Sequence, residues 1–261
     1  RTNVVTRMEG GKRGAGKFFD EELGEAVRQK DLPVEQLFVE AAKFGGRRGV
    51  VLLGDPGSGK TTAARQLAWR LATDPARGGS LGLDGPSIPI LLRFRQLDPQ
   101  RREEGLGGLL DIECRSGLGK GLTWENFQVQ ERRLWILDGL DEIVEPELRA
   151  QACRWVENLL TELPKDRFLV TSRFQGYQGK ARFGAGFLEC HVRPLNPEQI
   201  ERFVRLWYQE IETALNGDDA QRLAEAAERA GALVELFKEK AYTIGSLREL
   251  PTNPLLLTIL C

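Results

Sequence analysis

The sequence predicts an α/β fold in which a parallel sheet carries helices on both faces, followed by a small all-helical domain. Five short, mostly apolar segments have the length of strands, at residues 50–53, 90–94, 134–137, 168–171 and 187–192. Segments with helical periodicity lie between these runs, and that alternation is typical of a parallel sheet covered on both faces. After Pro194 the pattern is helical only, and a last apolar helix begins at Pro254.

The length of 261 residues fits one large α/β domain with an appendage. We expect an N-terminal linker with a short helical lead-in at residues 1–45, an α/β domain at 46–194 and a helical domain at 195–261. Residues 1–17 are basic and glycine-rich, which predicts a flexible linker. Because the chain stops at an apolar helix, we expect it to be a fragment of a longer protein.

The composition excludes several classes of protein. Lys plus Arg total 37 and Asp plus Glu total 38, so there is no strong basic field to hold nucleic acid. The apolar runs are too short to cross a bilayer. Four scattered cysteines and the single histidine, His191, give poor support to a Cys/His metal site. We therefore expect buried free thiols, a structural role for His191 and a cytoplasmic location.

A phosphate-binding loop is predicted between the first strand and the helix that follows it. The pattern G-x-x-x-x-G-K-[ST] is matched at every fixed position by Gly54, Asp55, Pro56, Gly57, Ser58, Gly59, Lys60 and Thr61. Glycines let backbone N–H groups turn inward around an anion, and the N-terminus of the next helix adds partial positive charge. We expect Lys60 to reach the β- and γ-phosphates, Thr61 to ligate Mg²⁺ and Thr62 to contact the α-phosphate.

An acidic motif follows the strand at residues 134–137. Asp138 emerges at the carboxyl end of that strand, where open α/β sheets bind ligands, so it can hold Mg²⁺ directly or through water. Asp141 and Glu142 add carboxylates near the position of a water that attacks the γ-phosphate. Either residue could be the general base, and the alternative for both is a surface acid that caps the next helix.

An arginine ends the strand at residues 168–171. Arg173 follows Ser172 at the carboxyl edge of the predicted sheet. A guanidinium at this edge could sense or stabilise the γ-phosphate of a bound nucleotide. The alternative is a solvated surface arginine.

Together these motifs resemble the NACHT domain of the signal-transducing (STAND) class of P-loop NTPases. The resemblance rests on the phosphate-binding loop, the acidic motif at residues 137–142, the strand end at 171–173 and the segment at 252–257, which reads Thr-Asn-Pro-Leu-Leu-Leu. It covers residues 50–261. It implies ATP or ADP as ligand, GTP in some members, and Mg²⁺.

The resemblance also implies roles for individual residues. Pro254 would pack against the nucleotide base, and Phe38 and Val39, which precede the loop, are further candidates for contacts with the base. Asp138 would be the Mg²⁺ ligand and Arg173 the sensor arginine. In the family a winged-helix domain follows and a histidine there touches ADP, but His191 does not match that position.

The resemblance further implies a biological setting. Short loops without vertebrate-type insertions are similar to bacterial members, many of which act in defence against phages. Such a protein is a slow ATPase switch that forms a homo-oligomer in the ATP state. We expect its protein trigger to be sensed by a C-terminal domain beyond this chain and its effector domain to lie elsewhere in the protein. Neither a membrane nor nucleic acid is an expected partner of this fragment.

Two other functions stay open. The first is an AAA+-type motor or loader that acts on DNA or protein, which the near-zero net charge disfavours for DNA. The second is a nucleotide-binding scaffold without hydrolysis, which the three acids of the second motif disfavour. ATP is expected rather than GTP because the sequence contains no Asn-Lys-x-Asp segment that would select guanine.

Overall fold

A computed structural model describes residues 3–7, 31–96, 132–239 and 246–261. These residues divide into two compact units. The first contains Asn3–Asp55 and Lys60–Val192, and the second contains Pro56–Gly59 and Arg193–Cys261. Helices that the sequence predicts at 20–29, 106–114 and 123–130 lie outside the described residues.

A seven-stranded sheet is the centre of the first unit. In chain order its strands are β1 (Asn3–Arg7), β2 (Asp31–Pro33), β3 (Gly49–Leu53), β4 (Ile88–Arg93), β5 (Arg133–Asp138), β6 (Arg167–Ser172) and β7 (Phe187–Val192). They lie side by side in the order β2-β1-β7-β3-β6-β5-β4. The strands from β7 to β4 run parallel, which confirms the five predicted parallel strands. The carboxyl ends of β3, β5 and β6 therefore meet at one edge of the sheet.

Two antiparallel strands extend the sheet beyond β7. Strand β1 pairs with β7 in a register that places Val4 opposite Val192, and β2 pairs with the other side of β1. The expectation of a flexible linker is therefore wrong for residues 3–7. The β7 edge would otherwise present unpaired backbone groups, and the β-branched run Val4, Val5, Thr6 suits a strand that pairs with it.

Helices cover both faces of the sheet. Among the described residues of the first unit they are α1 (Leu37–Lys43), α2 (Lys60–Thr73) and α3 (Pro146–Glu162). Successive residues of β3 point to opposite faces. Val51 packs in a cluster with Val156 of α3, whereas Val50 packs in a second cluster with Leu67 of α2. This alternation holds β3 between two apolar layers.

The second unit combines residues Pro56–Gly59 of the phosphate-binding loop with a C-terminal part whose described residues are mainly helical. Its helices are α4 (Pro197–Asn216), α5 (Ala220–Lys238) and α6 (Pro254–Leu260). Helix α4 begins with a capping box, in which the side chains of Asn196 and Gln199 each accept a backbone N–H from the other residue. Helix α4 runs without a break to Asn216, and α5 continues through Gly231. Among the described residues, none of the helices has both the length and the apolar character that a membrane crossing needs.

Candidate nucleotide-binding site

The predicted phosphate-binding loop lies between β3 and α2. Gly57 and Gly59 have φ angles of +75° and +92°, a left-handed backbone that residues with a Cβ rarely adopt. The side chain of Lys60 turns back over the loop, and its Nζ donates to the carbonyl oxygens of Gly54 at 2.7 Å and Asp55 at 2.9 Å. The loop therefore has the curvature expected of an anion-binding concavity, with the lysine amine directed into it.

The loop residues differ in exposure. Gly54 is buried, and its N–H donates to the carbonyl oxygen of Ser172 at the end of β6. Asp55, Pro56 and Thr62 are exposed, whereas the residues from 57 to 61 are half-buried. Burial lowers the pKa of Lys60, and the nearby carboxylate of Asp141 opposes that shift. A partly desolvated ammonium of this kind is stabilised by an anion, which fits a phosphate ligand.

Asp138 is the centre of a hydrogen-bond network at the end of β5. The hydroxyl of Thr61 lies 3.0 Å from Oδ1 and 3.1 Å from Oδ2 of Asp138. The hydroxyl of Thr171 donates to Asp138 Oδ1 at 2.6 Å and accepts from the backbone N–H of Gly139 at 2.9 Å. Strand β5 supplies the carboxylate, α2 one hydroxyl and β6 the other.

This network fits a magnesium ion. A carboxylate and a hydroxyl are hard oxygen donors, and Mg²⁺ in NTPases is commonly held by such a pair together with phosphate oxygens and water. Thr61 and Asp138 already lie within hydrogen-bond distance of each other, so both can face one ion. When bound, Mg²⁺ neutralises charge on the phosphate oxygens. Among the described residues, no cluster of three or more His, Cys, Asp or Glu offers another metal site.

The predicted catalytic residues Asp141, Glu142 and Arg173 differ in their contacts. Asp141 Oδ1 accepts from the backbone N–H of Arg173 at 2.9 Å, and Asp141 Oδ2 forms an ion pair with Arg173 Nε at 3.1 Å. Glu142 is exposed at the end of a 3₁₀ turn, Leu140–Glu142, which Gly139 enters with a φ of +80°. The structure thus joins Asp141 with Arg173 and leaves Glu142 outside that pair.

The segment at 252–257 contacts the loop residues of the second unit. Asn253 caps α6, with Oδ1 accepting from the backbone N–H groups of Leu255 and Leu256. Its Nδ2 donates to the carbonyl oxygen of Pro56 at 2.9 Å, and Leu255 N lies 3.3 Å from Gly57 O. Pro254 is half-buried at the first turn of α6. The proline predicted to contact the base therefore lies beside a residue that holds the phosphate-binding loop.

Several residues at the site have no role in the sequence-based prediction. Thr171 and Asn253 belong to motifs quoted there, but their hydrogen bonds depend on which strands are neighbours. The sequence gives no signal for Gly176, whose backbone lies against Asp141 although the two residues are far apart in the chain. Arg93 lies opposite Asp138 in the β4–β5 register, and its buried Nε has no hydrogen-bond partner among the described residues. A strand-end arginine beside the acidic motif is the signal that could have found it.

Other predicted residues have structural positions. Phe38 is 2% exposed and packs in the core of the first unit, so its side chain is occupied there, while Val39 is half-buried. His191 lies on β7, and its ring meets that of Phe174 edge to face at 5.1 Å. Cys153 and Cys190 are buried free thiols, as expected, whereas the free thiol of Cys261 is only half-buried; Cys114 lies outside the described residues.

A comparison of the sequence with models of protein families shows to which family the chain belongs. The model of the NACHT domain matches residues 48–210. The chain belongs to the NACHT family. That membership makes it a P-loop NTPase module, and it implies nucleotide binding, usually with Mg²⁺. NACHT domains commonly oligomerise. The matched range contains the loop, the acidic motif and Arg173, and it ends before the segment at 252–257.

The fold of this NACHT domain was also compared with solved structures. A chain in the structure of Drosophila ORC bound to DNA matches with a TM-score of 0.50 and 14% identity, over 85% of this chain and 58% of that one. The Aeropyrum pernix ORC1 protein in complex with DNA matches at 0.37 and 18%, over 77% and 57%. Caenorhabditis elegans PCH-2 matches at 0.39 and 15%, over 87% and 65%. No curated protein matches the sequence. Of these three, the Drosophila ORC chain reaches a TM-score of 0.50, and at 14% identity that likeness shows the fold alone.

Proposed function

We propose that this NACHT domain binds and slowly hydrolyses ATP, and that the bound nucleotide controls the oligomerisation of a larger receptor. The observation that carries the proposal is the contact between Thr61 and Asp138 beside the phosphate-binding loop. It brings together, from α2 and β5, the two protein oxygens that a Mg²⁺–nucleotide complex requires. The nucleotide-binding domain would span residues 46–194 and the helical domain residues 195–261.

The proposed binding residues divide by the part of the nucleotide that they contact. The loop from Gly54 to Gly59 and the amine of Lys60 would hold the phosphates, with Thr62 at the α-phosphate. Thr61 and Asp138 would hold Mg²⁺, and Arg173 would contact the γ-phosphate. Because only the triphosphate has a γ-phosphate, Arg173 is the residue that distinguishes ATP from ADP.

A switch also needs a path from the nucleotide to another part of the chain. The hydrogen bond from Asn253 to Pro56 and the contact of Leu255 N with Gly57 O supply one within the second unit. A phosphate that reshapes the loop changes the acceptors available to Asn253, and Asn253 also caps α6. The energy of that change can therefore bias the position of the C-terminal helices, which is the differential contact that a two-state switch requires.

The experiment measures the oligomeric mass of the protein and its rate of ATP hydrolysis in parallel. The purified protein is examined by light scattering after size-exclusion chromatography in ATP and in ADP, each with Mg²⁺, while phosphate release is followed. We expect assembly in ATP only, with turnover slower than about 1 s⁻¹, the low end of enzyme rates. Lys60→Ala should lose nucleotide binding and assembly, while Arg65→Ala, an exposed change on the same helix, should keep both. Equal mass in ATP and ADP would contradict the switch.

The same assay separates the other functions. Continuous turnover that DNA or an unfolded polypeptide stimulates would indicate a motor or loader. Tight ADP that remains through purification, without assembly or phosphate release in ATP, would indicate a scaffold. ATP and GTP are compared in parallel, because no described contact selects the base. These outcomes exclude one another.

We further propose that the receptor is a bacterial cytoplasmic protein that acts in defence against phages. The support is the family membership together with the short loops of the sequence. The intact gene, expressed in a phage-sensitive bacterium, should reduce plaque counts for at least one phage of a broad panel. The Lys60→Ala gene should not protect. Equal plaque counts with both genes across the panel would contradict a nucleotide-dependent role in defence.

A further inference from the structure

The two acids that follow Asp138 have different environments. The side chain of Asp141 is only 14% exposed, and each of its oxygens contacts Arg173. Glu142 is exposed at the end of the same 3₁₀ turn. A general base needs a lone pair that faces a water molecule. The carboxylate of Asp141 is committed to Arg173, whereas that of Glu142 is accessible to solvent.

The contact with Asp141 sets the direction of Arg173. The bond from the backbone N–H of Arg173 to Asp141 Oδ1 holds the chain where β6 ends. The ion pair at Nε, 3.1 Å from Oδ2, then holds the base of the planar guanidinium. Because the guanidinium is rigid, a contact at Nε fixes where its two terminal NH₂ groups point. The arginine side chain remains 55% exposed, so those groups stay accessible to a ligand.

Gly176 holds Asp141 in place from the other side. A Cβ on Gly176 would lie 2.3 Å from Asp141 Cβ and 2.7 Å from Asp141 Cα. Gly176 belongs to the 3₁₀ turn Phe174–Gly176, which begins just after Arg173, and its N–H donates to Arg173 O at 3.1 Å. The turn that carries Arg173 therefore closes directly on the backbone of Asp141. Only glycine permits that approach.

The pair also lies close to the phosphate-binding loop. The carbonyl oxygen of Ser172, the residue before Arg173, accepts from the backbone N–H of Gly54 at 3.3 Å. Gly54 is the first residue of the loop, and its own carbonyl oxygen accepts from Lys60 Nζ at 2.7 Å. Arg173 therefore follows directly after a backbone contact with the loop that carries Lys60.

From this geometry we infer that Asp141 is a positioning residue that orients Arg173 toward the γ-phosphate, and that Glu142 is the general base. The inference rests on the proposed ATP hydrolysis and deepens it. In that reaction the water oxygen bonds to the γ-phosphorus, and the bond to the β–γ bridging oxygen breaks with its electron pair passing to ADP. Glu142 accepts the proton of the water. Asp141 remains paired with Arg173 throughout.

A double-mutant cycle tests the inference. ATP affinity and kcat are measured for the wild type, Asp141→Asn, Arg173→Ala and the double variant. Asparagine keeps the acceptor for the backbone N–H and removes the charge that holds Nε. We expect each single change to lower kcat by about 10- to 100-fold, since small misplacements cost that much. The double variant should be no slower than Arg173→Ala, and ATP should still bind to all of them.

The cycle has an outcome that overturns the inference. If Asp141→Asn slows an Arg173→Ala protein as much as it slows the wild type, Asp141 acts independently of Arg173. Glu142→Gln should lower kcat in every background, and unchanged kcat there would equally contradict the assignment. Glu147→Gln, a change at a 72% exposed acid of α3, is the matched control and should leave kcat unaltered. Absence of ATP binding by the wild type would instead refute the proposed function.

A second variant guards against a folding defect at the partly buried Asp141. Arg173→Lys alters a half-exposed side chain and keeps the positive charge, but it has no Nε to meet Asp141 Oδ2. If the orientation of the guanidinium is what matters, Arg173→Lys should lower kcat by at least about tenfold. Turnover of Arg173→Lys near that of the wild type would show that charge alone is enough, and would overturn the positioning role.

Discussion

Replacing Thr171 by valine should destabilise the first unit and weaken Mg²⁺-dependent binding of nucleotide. Thr171 is 1% exposed, and its hydroxyl both donates to Asp138 Oδ1 and accepts from the N–H of Gly139. Valine has nearly the same shape but no hydroxyl. The change therefore removes two buried hydrogen bonds without opening a large cavity.

The magnitude follows from those two bonds. A hydrogen bond to a charged group contributes about 1.5–3 kcal/mol, and a buried N–H without an acceptor costs about 1–3 kcal/mol. The additional buried methyl group of valine returns about 0.8 kcal/mol. We therefore expect Thr171→Val to lower the free energy of unfolding by about 2–5 kcal/mol.

The assay is urea unfolding followed by circular dichroism, with the same measurement on Thr73→Val as a control. The hydroxyl of Thr73 is exposed and bonds only carbonyl oxygens of its own helix, so its loss should cost less than about 0.5 kcal/mol. Titration with ATP, with and without Mg²⁺, should show that Mg²⁺ strengthens ATP binding less in Thr171→Val than in the wild type. A free energy of unfolding within about 0.5 kcal/mol of the wild type would refute the reasoning.

Three further predictions concern other parts of the structure. Gly57→Ala should weaken ATP binding at least about tenfold by calorimetry. Gly57 has a φ of +75°, and a Cβ there would lie 2.7 Å from Leu255 Cβ. Gly45→Ala, with a φ of +76° and open space around the added Cβ, is the control and should bind ATP normally. Asp166→Asn should lower the free energy of unfolding by about 3 kcal/mol, because it removes the charge from a fully buried ion pair with Arg133; an unchanged melting temperature would contradict this. Burial raises the pKa of the Cys153 thiol from 9.0 to about 12. The buried neutral thiol therefore contributes its full stability below pH 9. Above pH 9 this contribution falls by about 1.4 kcal/mol per pH unit until about pH 12. Urea midpoints at pH 8 and pH 10 should diverge less in Cys153→Ala than in the wild type.

Much of the fold could be predicted from the sequence because its signals are local. The five parallel strands are short, mostly apolar segments, and the structure places their ends within two residues of the predicted ends. The phosphate-binding loop was equally accessible, since its pattern is contiguous and lies between a strand and a helix. The antiparallel strand at residues 3–7 was missed because a glycine-rich, basic stretch follows it and its pairing partner is nearly 190 residues away.

The sequence proposes which residues belong to the candidate site, but it does not give their contacts. Asp138 could be predicted as a metal ligand because parallel strands bring their carboxyl ends to one edge. The second hydroxyl on Asp138, from Thr171, required knowing that β5 and β6 are neighbours. The choice between Asp141 and Glu142 could not be made from adjacent positions of the same chemical type. The structure distinguishes them by burial and by Arg173.

The sequence by itself determined the class of fold, the NACHT resemblance and the phosphate-binding loop, because glycine conformations and strand periodicity are properties of short segments. Only the tertiary structure decided that Asp141 pairs with Arg173, because the two residues are 32 positions apart and meet across the ends of two adjacent strands. The same holds for Asn253, whose bond to Pro56 spans 197 residues. Contacts of this kind depend on the order of the strands and the packing of side chains, which no local pattern encodes.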